Sequence, residues 1–410
     1  MRILLVTAML PDPAATSGGG LVMYGQLAAL ATRHEVTLAT FAGVEPEAQK
    51  AIDDIRAAGV EVHYIRRSRP TGLELWRRRV RDGLGWMWGR YPLRTLQFYE
   101  QEMQHLLDGL LRTPRFDVLQ IEDNAILGAY RYRTQIPRVL TDHEVRSTLP
   151  SEPAEHQGLD RLRRALHEAE RRRWQRYQRT VWRQFDRIQV FTPRDAAVIR
   201  TLAPELDHHV RINPFGIGIP AETDVSRERA DSVVFVGGFG HTPNIDAALW
   251  LGHEIMPLLR SCRPGVRLTI VGSYPPSAVQ ALACDDIVVT GQVAAVEPFL
   301  ERAAVVLAPL RNGGGMRVKV LQAMALGKAV VTTPLGAEGL SLASQQPPLA
   351  IAGQAPEMAC MTAALLASPD ARRMLGSRAR AYVSQHYTWA AYGQRLEELY
   401  AELCSIHQSI

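Results

Sequence analysis

The chain has 410 residues, 46% of them hydrophobic and 22% charged, with a net charge of +5. That balance suits two globular domains with a large core and excludes a disordered or fibrous chain. Four cysteines, Cys262, Cys284, Cys360 and Cys404, lack metal-type spacing and read as reduced thiols of a cytoplasmic protein. No run approaches the ~20 apolar residues that span a bilayer. Residues 1–10 halt at Pro11 and read as a first strand, not a signal peptide. Of 47 basic residues only Lys50, Lys319 and Lys328 are lysines, a skew typical of genome composition.

Residues 3–8 form a buried-strand pattern. Ser17, Gly18, Gly19 and Gly20 then open a helix with apolar positions at Leu21, Tyr24, Leu27 and Ala31, and 34–41 returns as a strand. Further strand patterns fall at 60–65, 116–121 and 138–141, the last followed by Asp142, His143, Glu144, Val145 and Arg146. Strands alternating with helices predict an open parallel sheet covered on both faces.

Two arginine-rich stretches interrupt this series. Arg66 to Arg94 holds nine arginines against Glu74 and Asp82, with Trp76, Trp86 and Trp88 interleaved. Arg161 to Arg183 holds nine more, with Trp174 and Trp182, and reads as one long helix. Such residues suit the headgroup zone of an anionic membrane, here the inner face. A nucleic-acid patch would look similar, and so would a solvated helix whose arginine stems cover apolar surface. The solvated helix is preferred for 161–183. For 66–94, membrane or anionic-acceptor contact and solvated surface both stay open, and no nucleic-acid partner is expected.

Short strands at 186–190 and 210–215 lead to a Pro/Gly-rich connector, 213–220, and a polar stretch, 221–231. The predicted boundary separates domains 1–218 and 219–389. A second series follows: a strand at 232–236, Gly237 and Gly238, an amphipathic helix over 245–259, and a strand at 267–271 ending at Gly272. Strands at 287–290 and 305–310 come next, and residues 370–410 read as helical with a break near Tyr387–Trp389.

The strand at 305–310 enters Gly313, Gly314 and Gly315, then a helix ending at Gly327 and another β-branched run. From Arg302 to Ala337 stand five cations (Arg302, Arg311, Arg317, Lys319, Lys328) and no acid. Arg317 and Lys319 fall in the predicted first turn, where the helix dipole disfavours positive charge. A bound anion would supply the missing charge, held also by the N–H groups that the glycines bare. The plain alternative is a solvated basic loop. Gly238 to Pro243 approximates GxGxxG, but proline replaces the last glycine and no acid stands about 20 residues on, so nicotinamide chemistry is poorly supported. No Asp-x-Asp, P-loop or HExxH occurs. A diphosphate would therefore be neutralised by Arg311, Arg317 and Lys319, and no metal site is expected.

Val236-Gly-Gly-Phe-Gly-His-Thr-Pro-Asn-Ile-Asp-Ala, Pro309-Leu-Arg-x-Gly-x-Gly-x-Arg-x-Lys-x-Leu-x-Ala-Met-Ala-x-Gly and Gly336-Ala-Glu-Gly339 resemble bacterial family-four glycosyltransferases of the GT-B fold. So do the first strand with its Ser-Gly-Gly-Gly and the stretch from Arg372 to Trp389. The resemblance implies an α/β chain of two Rossmann-like, doubly wound parallel-sheet domains facing a cleft, with the helix at 390–410 crossing back to the first. It implies a metal-independent, retaining transfer from a nucleotide-diphosphate sugar, with no other cofactor, to a hydroxyl of a glycan, lipid-linked or small-molecule acceptor. Arg317 and Lys319 would contact the diphosphate and His143 would sit near the reacting sugar. Gly237, Gly238, Phe239, His241, Asn244, Gly272, Arg311, Gly313, Gly314, Gly315 and Met316 would line the donor site. Val293 would lie near the base, and Gly18, Gly19 and Gly20 would close over the phosphates.

Two departures stand out. Gln322 replaces a glutamate that holds the donor ribose, and can still offer an uncharged hydrogen bond from the face that carries Lys319. The usual His-Asn-x-Glu reads His143-Glu144-Val145-Arg146. The alternatives are a sugar-nucleotide epimerase, which would need carboxylates converging on the sugar, and a nucleotide-binding protein with a lapsed site.

Overall fold

A computed structural model describes residues 1–12, 18–68, 70–89, 91–143, 145, 160–313, 317–341 and 345–408. Expected site positions Gly314, Gly315 and Met316, and motif positions Glu144 and Arg146, lie outside them. The chain divides into two compact units, Met1–Pro214 with Tyr392–Ile410, and Phe215–Ala391.

The N-terminal unit is built on seven strands: β1 (Arg2–Thr7), β2 (Glu35–Ala42), β3 (Glu61–Arg66), β4 (Val118–Glu122), β5 (Arg138–Asp142), β6 (Arg187–Val190) and β7 (Val210–Ile212). They pair in parallel in the order β3-β2-β1-β4-β5-β6-β7. Ile3, Leu4, Leu5 and Val6 are fully buried, as a strand covered on both faces requires. The other unit has β8 (Ser232–Val236), β9 (Arg267–Val271), β10 (Ile287–Val289), β11 (Val305–Ala308), β12 (Ala329–Thr332) and β13 (Ala350–Ile351). Its order is β10-β9-β8-β11-β12-β13, again all parallel. Both sheets are therefore doubly wound, the architecture expected of a GT-B chain. Chain order reverses between β1 and β4 in one sheet and between β8 and β11 in the other. Ligands of such sheets settle at these reversals, beyond the carboxyl ends of the strands.

The helix expected over 245–259 is interrupted. It starts at Thr242, runs to Trp250, widens into a π turn over Leu251–Ile255 and resumes as Met256–Cys262. The wide turn sits just before Pro257, whose ring and missing N–H do not fit a continuous α-helix. β13, only two residues long, has no sequence signal. The 161–183 stretch is the helix Asp160–Trp182. Trp174 and Trp182 are buried, while exposed Arg171 and Arg172 share Glu168.

The last helix, Trp389–Gln408, packs onto the N-terminal unit through buried polar groups. Gln120, Thr141 and Gln189 stand inside otherwise apolar strands and are fully buried. Gln120 Nε2 donates to Thr141 Oγ1 at 2.7 Å, and Tyr400 OH donates to Gln120 Oε1 at 2.9 Å. Gln189 Nε2 donates to Tyr392 OH at 2.9 Å, and Asn213 Nδ2 donates to Gln189 Oε1 at 3.0 Å. Arg395 Nε closes the chain on Asn213 Oδ1 at 2.6 Å. Buried amides are tolerated only when bonded in this way. Gln189→Leu should remove the Gln189 bonds to Asn213 and Tyr392 and cost about 2 kcal/mol. In urea unfolding followed by tryptophan fluorescence, the N-terminal transition should move to lower denaturant. An unchanged midpoint would mean that the network does not hold the helix.

Candidate active site

Each unit gathers its candidate groups at its strand-order reversal. In the C-terminal unit β8 runs into Gly237. A Cβ there would lie 3.0 Å from Lys319 Nζ and 2.8 Å from Asn244 Cγ, so the absent side chain lets these groups approach the backbone. At Gly272, after β9, a Cβ would lie 2.0 Å from the Gly237 carbonyl oxygen, which leaves no room for any other residue. Asn244 Nδ2 donates to the Gly238 carbonyl at 2.7 Å, and its Oδ1 accepts from Lys319 Nζ. The Lys319 nitrogen also lies 4.9 Å from the Phe235 ring centre. After β11, Gly313 takes a left-handed conformation (φ 101°), and its carbonyl accepts from Arg317 Nη2 at 3.1 Å. Arg317 Nε donates to the Leu335 carbonyl at 3.4 Å.

The helix that follows is Val318–Ala325, so Arg317 is its cap rather than part of its first turn. Lys319 is within that turn. The Arg317 residue is only 7% exposed. Burial of the Lys319 ammonium, helped by the adjacent Arg317 charge, pushes its pKa down to about 7. Two cations thus crowd a helix start, where the dipole also opposes them. The arrangement can bind an anion strongly.

Other expected donor residues are placed differently. Arg311 is drawn to Asp246, at 2.6 and 3.1 Å, and lies 4.8 Å from the Trp250 ring centre. Buried Lys328 donates to the Glu301 carbonyl at 2.6 Å and sits 3.5 Å from Glu228, a carboxylate shared with Arg372. Those cations find acids from outside the acid-free run, which the linear reading missed. Phe239 is buried, with its N–H on the Ser273 carbonyl at 3.0 Å. His241 is exposed and caps the helix Thr242–Trp250. Gln322 is half-buried, one turn on from Lys319. Val293 lies beyond β10, two strands from β8.

In the N-terminal unit Gly18, Gly19 and Gly20 form the first turn of the helix Gly18–Ala31, the helix that follows β1. Glu122 ends β4 and is fully buried. His143, just after β5, shares a hydrogen bond with it, Nε2 to Oε2 at 2.7 Å. Glu122 Oε1 accepts from Gln26 Nε2 at 2.7 Å and Gln120 Nε2 at 2.8 Å. Phe191 meets the His143 ring edge-on at 5.1 Å. Burial alone would lower the His143 pKa, but the hydrogen bond and charge of Glu122 outweigh it and raise the value. Beside it, burial drives Asp142 up to about 8, against the Trp182 indole N–H that donates to it at 2.9 Å. Sequence reading missed Glu122 and Gln26. The available signal was a glutamate at the end of an apolar strand, ahead of Asp123, a non-glycine residue at φ 79°.

A pocket of about 430 Å³ opens beyond β3, lined by Arg66, Arg67, Arg78, Glu100, Glu102 and His105. Arg67 and Arg78 both engage Glu100, at 3.8 and 3.0 Å, so it is less cationic than the sequence suggests.

Residues 230–368, which carry the Lys319 cluster, match the family model described as Glycosyl transferases group 1. No curated protein matches the chain. Sucrose-phosphate synthase from Thermosynechococcus elongatus is similar in structure, with a TM-score of 0.70 and 16% identity over 99% of this chain and 100% of that one. HepE from Anabaena, solved with UDP, has a TM-score of 0.63 and 13% identity over 98% of this chain and 100% of that one. TarM from S. aureus has a TM-score of 0.66 and 10% identity over 98% and 99%. At these identities the likeness shows the fold.

The histidine environment is directly testable. His143 should titrate above 6.5 by NMR, and Glu122→Gln should bring it below 6.5, since burial then dominates. In linkage terms, the raised pKa contributes stability that is full below about 6.5 and is lost as pH rises through the folded value. An unmoved midpoint in Glu122→Gln would show that Glu122 does not control the ring.

Proposed function

We propose that this chain, a glycosyltransferase of GT-B architecture, moves a sugar from a nucleotide-diphosphate donor to an acceptor hydroxyl, with retention at the anomeric carbon and without a metal. The observation that carries the reading is the pairing of Arg317 with a Lys319 ammonium depressed to about 7, at the β8/β11 reversal. When the anomeric C–O bond breaks, its electrons go to the departing diphosphate. Fixed cations and first-turn N–H groups stabilise that growing charge more than the intact donor. The acceptor oxygen forms the new bond from the face the diphosphate leaves, and its proton passes to the leaving phosphate. His143 hydrogen-bonds a sugar hydroxyl, and Glu122 acts as its positioning residue. UDP and UDP-glucose complexes of HepE support a nucleoside diphosphate as the leaving group. The acceptor is a sugar-bearing, lipid-linked or small molecule. The chain acts in the cytoplasm, and its peripheral contact with an anionic membrane depends on how the 66–94 segment is packed.

Lys319→Met separates this role from a structural one. Replacing a poorly solvated ammonium by an apolar chain should hold or raise the thermal midpoint. The same change should abolish stabilisation by the preferred member of UDP, GDP, dTDP and ADP, and lower turnover about 100- to 1,000-fold. NMR of the first-formed product, with chelator present, should show the donor's anomeric configuration. Unchanged nucleotide stabilisation in Lys319→Met would refute the diphosphate site. Donor epimerised in the absence of acceptor would replace transfer with epimerisation.

A further inference from the structure

The segment from Arg66 to Arg94 contains one long helix, Gly72–Trp88, and its amphipathicity is inverted. The inward side carries the polar anchors. Asp82 is buried, Arg78 bridges Glu74 and Glu100 at 3.4 and 3.0 Å, and the Trp86 indole N–H donates to Glu170. Arg173 stacks over Trp86 at 4.0 Å. The outward side carries Leu73, Trp76, Val80, Leu84, Met87 and Trp88, with Trp76 at 61% and Trp88 at 79% exposure. At about 100° per residue these six fall within an arc of roughly 120°. By the same count exposed Arg77 stands inside the arc, between Leu84 and Trp88, Arg81 lies about 20° beyond that edge, and Arg79 lies about 60° beyond the other. Among the described residues Arg77 and Arg79 form no ion pair, while Arg81 reaches Asp82 at 2.9 Å.

A solvated helix would present the opposite arrangement, with its charges outward. A nucleic-acid face would place arginines on the outermost ridge, and here that ridge is apolar. Aliphatic side chains at the crest (Leu73, Val80, Leu84), tryptophans at its two edges (Trp76, Trp88) and exposed arginines among and beside them match a bilayer surface instead: acyl chains below and anionic headgroups beside. The charge complementarity selects an anionic lipid surface. No helix among the described residues is long and apolar enough to cross a membrane, so the contact is peripheral. The inward anchors hold the helix rigidly enough to present the arc ready-made.

We infer that the outward face of the helix Gly72–Trp88 is a docking surface for an anionic membrane, with Trp76, Leu84, Met87 and Trp88 entering the headgroup boundary and Arg77 and Arg79 meeting lipid phosphates. The inference stands on the N-terminal unit alone and does not require the Lys319 site. The test is flotation of the full chain with vesicles of phosphatidylcholine, alone or with about one-third phosphatidylglycerol. The wild type should float at least about tenfold better with the anionic vesicles, and less well at high salt. Trp76→Ser/Leu84→Ser should lose flotation on both, and Arg77→Gln/Arg79→Gln should lose the preference for phosphatidylglycerol. Each variant should unfold at the wild-type temperature, since the changed side chains face outward. Three results would overturn the proposal: no flotation of the wild type, equal flotation of the variants, or a dimer by light scattering that Trp76→Ser/Leu84→Ser dissociates, which would assign the face to a second copy. UDP-dependent thermal stabilisation, read on the same samples, reports the other unit and separates failure here from failure of the transferase reading.

Discussion

Two cations forced together at the start of a helix are the constraint on which the C-terminal unit depends. Lys319 loses solvation and feels Arg317, while the helix dipole adds to the repulsion. Hydrogen bonds to Asn244, Gly313 and Leu335 hold the two groups but bring no countercharge, which a bound anion would supply. The glycines serve the same end: Gly237 and Gly272 clear space that a single Cβ would fill, and Gly313 turns its carbonyl back onto Arg317. Asn244 then holds the ammonium in place without neutralising it.

The N-terminal unit repeats the geometry with opposite electrostatics. Its reversal point gathers Glu122, Asp123 and His143 in place of clustered cations, with Asp142 buried alongside and its pKa pushed up to about 8. Such acceptor-rich surroundings suit hydroxyls, as the cationic site suits phosphate. The His143 ring is set from below by a buried carboxylate that two glutamine side chains hold in turn. Gln120, one of those two, also belongs to the network that fastens the last helix. Packing of that helix and orientation of His143 are therefore physically connected within one unit.

Much of this was legible in the sequence. Parallel strands buried on both faces read as apolar runs, so the alternation of strands and helices emerged directly. Glycine and charge patterns singled out Gly237, Gly313 and Lys319, which stand after β8, after β11 and in the helix that follows. What failed to show was partnership across long separations. Arg311 seemed available for phosphate because its carboxylate, Asp246, stands 65 residues away. Glu122 did not stand out in the sequence, because only the fold sets it beneath His143. The helix Gly72–Trp88 hid its orientation for a related reason. Periodicity reveals that a stripe exists, and the partners of Asp82 and Trp86 decide which side faces the core.

The central claim is that Lys319 is kept poorly solvated in order to meet a diphosphate. With only three lysines in the chain, side-chain NMR on lysine-labelled protein can follow each ammonium separately. Lys319 should titrate at about 7 in the free protein and rise by about one unit or more when a nucleoside diphosphate binds. A Lys319 that titrates near 10.5, or whose value stays put on saturation with nucleotide, would contradict the account.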